Sequence, residues 1–405
     1  MLKVLDLFCG MGGLSLGFAL AGLGPVEGHD IWPRAVATYN LNLRRLGCRA
    51  EVTDLTRRAP KGDFDVVVGG PPCQPFSRAN AGPRGEGHPL WPTFPAYFDV
   101  VLEKEPLAFL LENVPTLLQD RDMKPLLEGQ LARVRGQYRL AARVLDAADY
   151  GVPQRRLRLF VLGLRRDLGA RPGFPPPSHA RARTLALLGR GMARWVTVGE
   201  AIGDIVDRPG ALPGHDPPPM LPHDIAYGLE PLDPDGVSKT ITTLVRCAKR
   251  ASGGTFRTTV VVWLRKHPPA EMGRPSRTVT AHLAKNRGRP DLSVRPATTV
   301  NTRGFLAPPG NHATFCGRAD PGVRKLSVRE CLRLQSFPDW WRFPDGMSRT
   351  AKYVLVGEAV PPVLAYRLGV HLARLLGREP RVPPREGEWA LPYFGRALWD
   401  LLDGG

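Results

Sequence analysis

The chain is poor in cysteine, in acids and in long charge-free apolar runs, and each shortage narrows what it is. Six cysteines lie among 405 residues, at 9, 48, 73, 247, 316 and 331. No two have the C-x-x-C spacing of a structural zinc site, and so few in so long a chain do not make a disulfide scaffold. A reducing compartment and no metal are expected. Acids number 38 against 56 Lys and Arg, a formal net charge of +18 with a pI near 10.2. That excess fits a polyanionic partner, most simply nucleic acid; the plainer readings are solubility or a membrane surface. Arginine far outnumbers lysine, which suits bidentate phosphate contacts and equally follows from genome base composition. The stretch from Leu7 to Val26 carries no charge, and Ala19-Leu20-Ala21 imitates a signal-cleavage site. Glycines at 10, 12, 13, 17, 22 and 24, and no basic n-region beyond Lys3, argue against a secretory or membrane segment. The expectation is a cytoplasmic protein without membrane association.

A chain of this length predicts two domains. Residues 1–164 alternate strand-like and helix-like segments. Lys3 to Phe8, Pro25 to Asp30, Phe64 to Val68, Leu107 to Leu111 and Leu157 to Leu164 have the length and apolarity of buried strands. Leu14 to Ala21 and Pro33 to Leu46 read as helices, the second with proline near its first turn. This βαβ rhythm predicts an α/β fold with a doubly wound, mostly parallel sheet. After Leu164 the texture changes. Arg171 to Ser178 and Leu212 to Pro222 are proline-rich. From Arg246 to Arg303 there are thirteen Lys/Arg and two acids, with frequent threonine, valine and turn residues. That segment reads as a smaller, irregular, β-rich module with a basic face. Helical signals return with the capping box Ser327-Val-Arg-Glu330, in a helix that Pro338 must end, and with Pro361-Pro362 opening a helix to about Leu376. The last residues, 379–405, read as a tail with a short amphipathic helix at Tyr393 to Leu402.

Strand one runs into Phe8-Cys9-Gly10-Met11-Gly12-Gly13 and then a helix. Glycines there let a ligand approach the backbone. The six-residue dinucleotide fingerprint and the Lys-Ser/Thr of a Walker loop are both missing, so phosphate binding is not demanded. An adenosine ligand without phosphates fits better, and S-adenosyl-L-methionine is the obvious one. Asp30, ending strand two, is placed for ribose hydroxyls, and Asp54, after the next strand-like segment, for the adenine amino group. A structural tight turn is the other reading of the glycines.

Gly69-Gly70-Pro71-Pro72-Cys73-Gln74-Pro75-Phe76-Ser77 follows the run Phe64 to Val68. Its prolines and glycines make a stiff loop at the end of a buried strand, where a thiol is placed to attack a ligand. A buried structural cysteine beside a turn accounts for the same residues. Glu112 directly follows the run Leu107 to Leu111. In an open α/β sheet the strands' carboxyl ends share one crevice, which puts Cys73 and Glu112 together. A salt-bridged surface glutamate is the alternative. Arg156 and Arg158 alternate on entering a strand, so both side chains are expected on one face, toward the crevice or on a solvated basic edge.

Taken in order, these parts resemble the cytosine-5 DNA methyltransferase family, of the bacterial restriction–modification type. The motifs are Asp6-Leu-Phe-Cys-Gly-Met-Gly-Gly13, Gly70-Pro-Pro-Cys-Gln74, Glu112-Asn-Val114, Gln154-Arg-Arg156, the block from Arg324 to Pro338 and Gly357-Glu-Ala-Val-Pro-Pro362. They cover about residues 1–164 and 324–375. The resemblance implies a Rossmann-like catalytic domain of 1–164 and 324–378, a target-recognition domain of 165–323, and transfer of a methyl group from S-adenosyl-L-methionine to cytosine carbon 5 in double-stranded DNA. It implies cofactor contacts from Phe8, Gly10, Gly12, Gly13, Asp30, Ile31, Asp54, Leu55, Pro72, Glu358 and Ala359. It makes Cys73 the nucleophile on carbon 6, Glu112 the partner of ring N3, and Arg156 and Arg158 the holders of the base and its phosphate. Gln74, Ser77 and Asn113 become substrate contacts, with the loop to about Leu90 closing over the base. The partners implied are duplex DNA and a cognate restriction endonuclease, for a monomer associated with the nucleoid.

A thiol of pKa about 8.5 is only a few per cent ionised at pH 7, a penalty of about 2 kcal/mol, which a basic site is expected to reduce. The target base has to leave the helix stack for any of this to happen. Two positions depart from the family: Glu358 stands where asparagine is usual, and Ile31 precedes Trp32 where an aromatic usually follows the acid directly. The segment His88 to Asp99 matches only loosely. An RNA cytosine-5 methyltransferase and a non-catalytic DNA-binding homologue are the competing assignments; the length of the 165–323 segment favours DNA, and the retained Cys73, Glu112 and arginines favour catalysis.

Overall fold

The computed structural model describes residues 2–77, 83–181, 192–205, 210, 212, 215, 220–222, 238–239, 262–264 and 319–382. Its frame is a sheet whose strands are apolar on both faces, a pattern that demands a layer of helices on each side. The strands are β1 (Val4–Leu7), β2 (Val26–Asp30), β3 (Arg49–Val52), β4 (Val66–Gly69), β5 (Ala108–Asn113), β6 (Tyr138–Asp146) and, after a two-residue strand β7 (Gln154–Arg155), β8 (Leu157–Arg165). The sheet order is β3-β2-β1-β4-β5-β8-β6. The first five strands are parallel; β8 runs antiparallel to both β5 and β6. Alternation sends Val4, Val66, Val68, Leu110, Phe160 and Leu162 to one core layer and Leu5, Leu7, Val67, Phe109, Leu111 and Val161 to the other.

Helices α1 (Gly13–Leu20) and α2 (Pro33–Leu43) lie in the first layer, while α3 (Thr93–Lys104), α4 (Thr116–Gln119) and α5 (Lys124–Val134) supply the second. The expected strands are found within a residue or two. The Pro33 helix breaks into a 3-10 turn at Arg44–Leu46. Glu112 lies inside β5 rather than just after it. Strand β6 and the helices α3 and α5 carried no distinct sequence expectation.

The chain returns to the first layer through α6 (Val198–Ile202), α7 (Val328–Leu334), α8 (Arg349–Glu358) and α9 (Pro362–Leu375). The Ser327 capping box is formed: Ser327 Oγ accepts from Glu330 N at 3.1 Å, and Ser327 N donates to Glu330 Oε2 at 2.6 Å. Helix α7 ends at Leu334, before Pro338, where Ser336 takes a left-handed conformation. Between β8 and α7 the described residues form short strands, among them β9 (His179–Ala180) and β10 (Ala193–Arg194), and three strands at 220–222, 262–264 and 319–325 joined antiparallel. The basic module at 246–303, apart from 262–264, and the tail helix at 393–402 lie outside the described residues. Among the described residues no helix is long and apolar enough to cross a membrane.

Glycines 13 and 17 let α1 lie directly against the returning segment. A Cβ on Gly13 would strike the Val360 carbonyl, and one on Gly17 would strike Ala365, Tyr366 N and the Pro362 carbonyl. We expect Gly17→Ala to destabilise the protein by about 1–3 kcal/mol through overpacking, even though alanine raises helix propensity by about 1 kcal/mol. A urea unfolding midpoint that rises in the variant would contradict this packing.

Candidate active site

The site forms at the carboxyl edge of the parallel strands, where the order reverses: β1 has β2 on one side and β4 on the other, a switch point that opens a crevice. On the β2 side lies the glycine loop. Phe8 and Gly10 have positive φ, +58° and +54°, and Cys9 N donates to His29 O at 3.1 Å. The Asp30 carboxylate accepts from Gly10 N at 2.9 Å and Trp32 N at 2.8 Å. It therefore orders the loop, and burial raises its pKa. Nothing lies within 4 Å of a Cβ built on Gly10, so the loop is open to a ligand there. Gly12 differs: a Cβ there would come within 2.6 Å of Leu43 and 2.8 Å of Tyr39, which makes it a packing glycine.

Ile31 is 64% exposed, an apolar face at the strand end where a purine ring can rest. Asp54 is bound by Thr56 Oγ1 at 2.6 Å and Arg57 at 3.0 Å, and the Thr56 hydrogen bond lowers its pKa. Leu55 beside it is buried. An open glycine backbone, an ordered carboxylate and an exposed apolar side chain fit an adenosyl ligand. Ala359 is buried and Glu358 exposed at the end of α8. They join this side of the crevice through Val360, whose carbonyl meets Gly13.

On the β4 side, Cys73 sits in the loop after Gly69. That loop is held at several points. Cys73 O accepts from Phe76 N and Ser77 N, both at 3.0 Å. Asn113 Nδ2 donates to Pro71 O at 3.1 Å, and Arg84 donates to Phe76 O at 3.3 Å while pairing with Asp120 at 3.1 Å. Asn113 is fully buried beneath the loop. Pro72, Gln74 and Ser77 are half-buried in it. Residues 78–82 of the expected closing loop lie outside the described residues.

Parallel pairing of Gly69 with Leu111 puts Gly70 beside Glu112. A Cβ on Gly70 would come within 2.8 Å of Glu112 Oε2, so glycine gives the carboxylate its room. Antiparallel β8 brings its first residues to the same edge, since Leu159 pairs with Asn113. Arg158 Nε is thereby 3.0 Å from Glu112 Oε1.

Both arginines act on the Cys73 thiol; Arg158 forms an ion pair with Glu112, and the Glu112 charge also acts on Arg156. Arg156 is 1% exposed and donates to Gly357 O at 2.9 Å and Glu358 O at 3.4 Å. It ties the strand entry to the end of α8, and burial lowers its pKa to about 9, which leaves it charged at pH 7. The sequence offered no sign of Asp146, whose carboxylate accepts from Arg156 N at 3.0 Å and Arg155 Nε at 2.8 Å. It fixes the turn from ten residues upstream, on β6, and no local spacing marks it. The Arg84–Asp120 pair was missed for the same reason.

One expectation is corrected. The basic surroundings do not lower the Cys73 pKa below its ordinary value; burial raises it to about 11 and outweighs Arg158 and Arg156, while Glu112 and Glu358 oppose them. The thiol is neutral at pH 7. Its ionisation should increase as pH rises, so the iodoacetamide rate at Cys73, with the rate in Cys73→Ser subtracted, is expected to climb about tenfold per unit from pH 7 to 9 without levelling. A plateau below pH 8 would contradict the burial argument.

A family model, C-5 cytosine-specific DNA methylase, matches residues 2–374. Type II methyltransferase M.MthTI of Methanothermobacter thermautotrophicus is 30% identical over 385 residues, which cover 91% of this chain and 96% of that protein. Type II methyltransferase M.XorII of Xanthomonas oryzae is 31% identical over 409 residues, with 94% and 86% covered. In fold the chain is similar to the Entamoeba histolytica methyltransferase EhMeth (TM-score 0.57, 14% identity, 93% of this chain and 99% of that one) and to the S. pombe Dnmt2 methyltransferase (TM-score 0.54, 16%, with 93% and 99% covered). With its doubly wound sheet, open glycine loop and the Cys73, Glu112 and Arg158 crevice, the chain belongs to the C-5 cytosine-specific DNA methylases, enzymes that use S-adenosyl-L-methionine as methyl donor.

Proposed function

We propose that this DNA cytosine-5-methyltransferase works through Cys73, Glu112 and Arg158 on a cytosine swung out of a specific duplex sequence. The observation that carries the reading is one crevice in which a loop thiol, a strand-borne carboxylate and an arginine 3.0 Å from that carboxylate converge. Cytosine carbon 5 is a weak nucleophile. Addition of the Cys73 sulfur at carbon 6 makes it enamine-like, and Glu112 assists by bonding or protonating ring N3. Arg158 holds the glutamate and the charge that develops on the ring. When bound, S-adenosyl-L-methionine supplies the electrophilic methyl group. Phe8, Gly10, Asp30, Ile31, Asp54 and Leu55 are proposed to line its adenosyl end, with Gly12 and Gly13 shaping the loop and Pro72, Glu358 and Ala359 at the other end. Gln74 and Ser77 are proposed to face the everted base, and Asn113 to act through the loop it holds. Arg156 acts by position, holding α8 against the crevice. The Cys73 thiol gives up its proton to solvent as it adds. Among the described residues no side chain stands out to remove the carbon 5 proton, and water fits that step, whose electron pair restores the ring double bond and expels the Cys73 sulfur from carbon 6.

The catalytic domain is assigned to 1–164 and 324–378, target recognition to 165–323, and 379–405 to a tail. We propose a restriction–modification setting, with a cognate endonuclease sharing the site and a monomeric enzyme on nucleoid DNA; the type II methyltransferase names of the relatives support the setting.

With labelled cofactor, Cys73→Ser is expected to lose methyl transfer while still binding duplex DNA. Glu112→Gln should lower turnover by about 10²–10⁴. Wild-type turnover in Cys73→Ser, or methylation of transfer RNA in preference to duplex DNA, would overturn the reading. Affinity for duplex DNA should fall steeply with salt, linearly in log–log form; a flat response would argue against phosphate contacts. Bisulfite sequencing of DNA from expressing cells reads out the recognition sequence.

A further inference from the structure

Helix α9 carries basic side chains on the face it turns to the segment after β8. Arg367 and His371 are one turn apart and so lie on the same face, with Arg374 one position short of the next turn. The helix packs on the turn Ala147–Tyr150, which also contacts β9. The main chain of Gly173 acts on the His371 ring, and His179 of β9 is close enough to Arg367 to feel its charge. His179 is 2% exposed, wedged against Gly151: a Cβ there would come within 2.9 Å of its Cε1.

What singles out this cluster is the state of its polar atoms. Arg367 Nε, His371 Nε2 and His179 Nε2 are all buried and lack a hydrogen-bond partner among the described residues. His179 Nδ1 is satisfied by Ser178 Oγ at 2.9 Å, which leaves Nε2 for something else. Among the described residues no carboxylate acts on Arg367, and the one charge-bearing group that supports its protonation is the Tyr366 phenol. Burial lowers the Arg367 pKa to about 10, so it remains a cation at pH 7. Arg374 also disfavours charge on His371. Glu200 acts on His179, but that carboxylate is already held by Arg194 at 2.6 Å and by the Thr197 cap.

A largely buried guanidinium without a counter-charge is costly, and buried polar atoms without partners are rare in native proteins. Both are resolved by one anion. A guanidinium fork matches the oxygens of a phosphate. His179 Nε2 can donate to such an oxygen in the tautomer in which Nδ1 accepts from Ser178 Oγ, and His371 Nε2 can donate as the imidazolium, the charge state a bound anion favours. Arg367 and His371 are part-exposed, which gives a small ion access.

We propose that Arg367, His371 and His179 line a binding site for a phosphate-type oxyanion, apart from the Cys73, Glu112 and Arg158 cluster. The group is either a free phosphate or a phosphate of the DNA backbone, and the same side chains serve both.

The test uses the full-length protein with inorganic phosphate as probe, at constant ionic strength set with sodium chloride. Wild-type melting temperature should rise with phosphate concentration and not with chloride, and Arg367→Gln should raise the apparent dissociation constant at least tenfold. Where Arg367→Gln does not fold, His371→Gln and the ³¹P line width of phosphate replace it, with broadening by the wild type and less by the variant. Equal responses to phosphate and chloride, or equal phosphate responses in wild type and variant, would overturn the site. A second arm separates the two sources. For a DNA phosphate, the log–log salt slope of duplex binding falls by about one in the variant; for a free phosphate, the slope is unchanged.

Discussion

The pairing of β4 with β5, in the register that sets Gly69 opposite Leu111, governs the crevice. Both strands are buried on both faces. A slip of one residue would exchange every inward and outward side chain and drive Glu112 into the opposite apolar layer, so the register is held by the whole core. Given that register, Gly70 must pass Glu112 closely, and the loop beyond it must carry Cys73 over the same edge. Strand β8 completes the arrangement because it enters antiparallel. Its beginning, not its end, lies beside Asn113, and that places Arg158 on the carboxylate.

Burial, more than the sign of nearby charge, sets the protonation of the site. Two arginines and two glutamates act on Cys73 in opposite directions, and desolvation, the largest contribution, decides the outcome. The free protein therefore holds a thiol rather than a thiolate. A neutral sulfur is a poor nucleophile, which suits a site that also takes up an alkylating cofactor. Arg156 illustrates the same division of labour. Its guanidinium donates to the carbonyls of Gly357 and Glu358, which ties α8 to the crevice, and its charge also acts on Cys73 and Glu112.

The last third of the chain matters because it returns to the first layer. Gly13 and Gly17 remove side chains where Val360 and the start of α9 approach α1. The glycine loop thus has two employments. Gly10 leaves space for a ligand, whereas Gly12, Gly13 and Gly17 leave space for protein. The same return presents the far face of α9, with Arg367 and His371, to the segment after β8.

Much of this was legible in the residues. Apolar runs of strand length, the Ser327 capping box and the proline at the start of α9 act locally, so they marked their elements before any coordinates. The order of motifs brought Cys73 and Glu112 to one edge by the general rule for open α/β sheets. The amino-acid sequence thus determined the fold class, the glycine loop and the pair of candidate groups, because periodicity and turn chemistry are properties of neighbours along the chain. Tertiary structure alone decided that Arg158 pairs with Glu112 while Arg156 binds the carbonyls at the end of α8, that Asp146 and the Arg84–Asp120 pair brace the site, and that Cys73 is neutral. Those are outcomes of strand direction and of desolvation, which depend on residues far apart in sequence and on how much water the packed chain excludes.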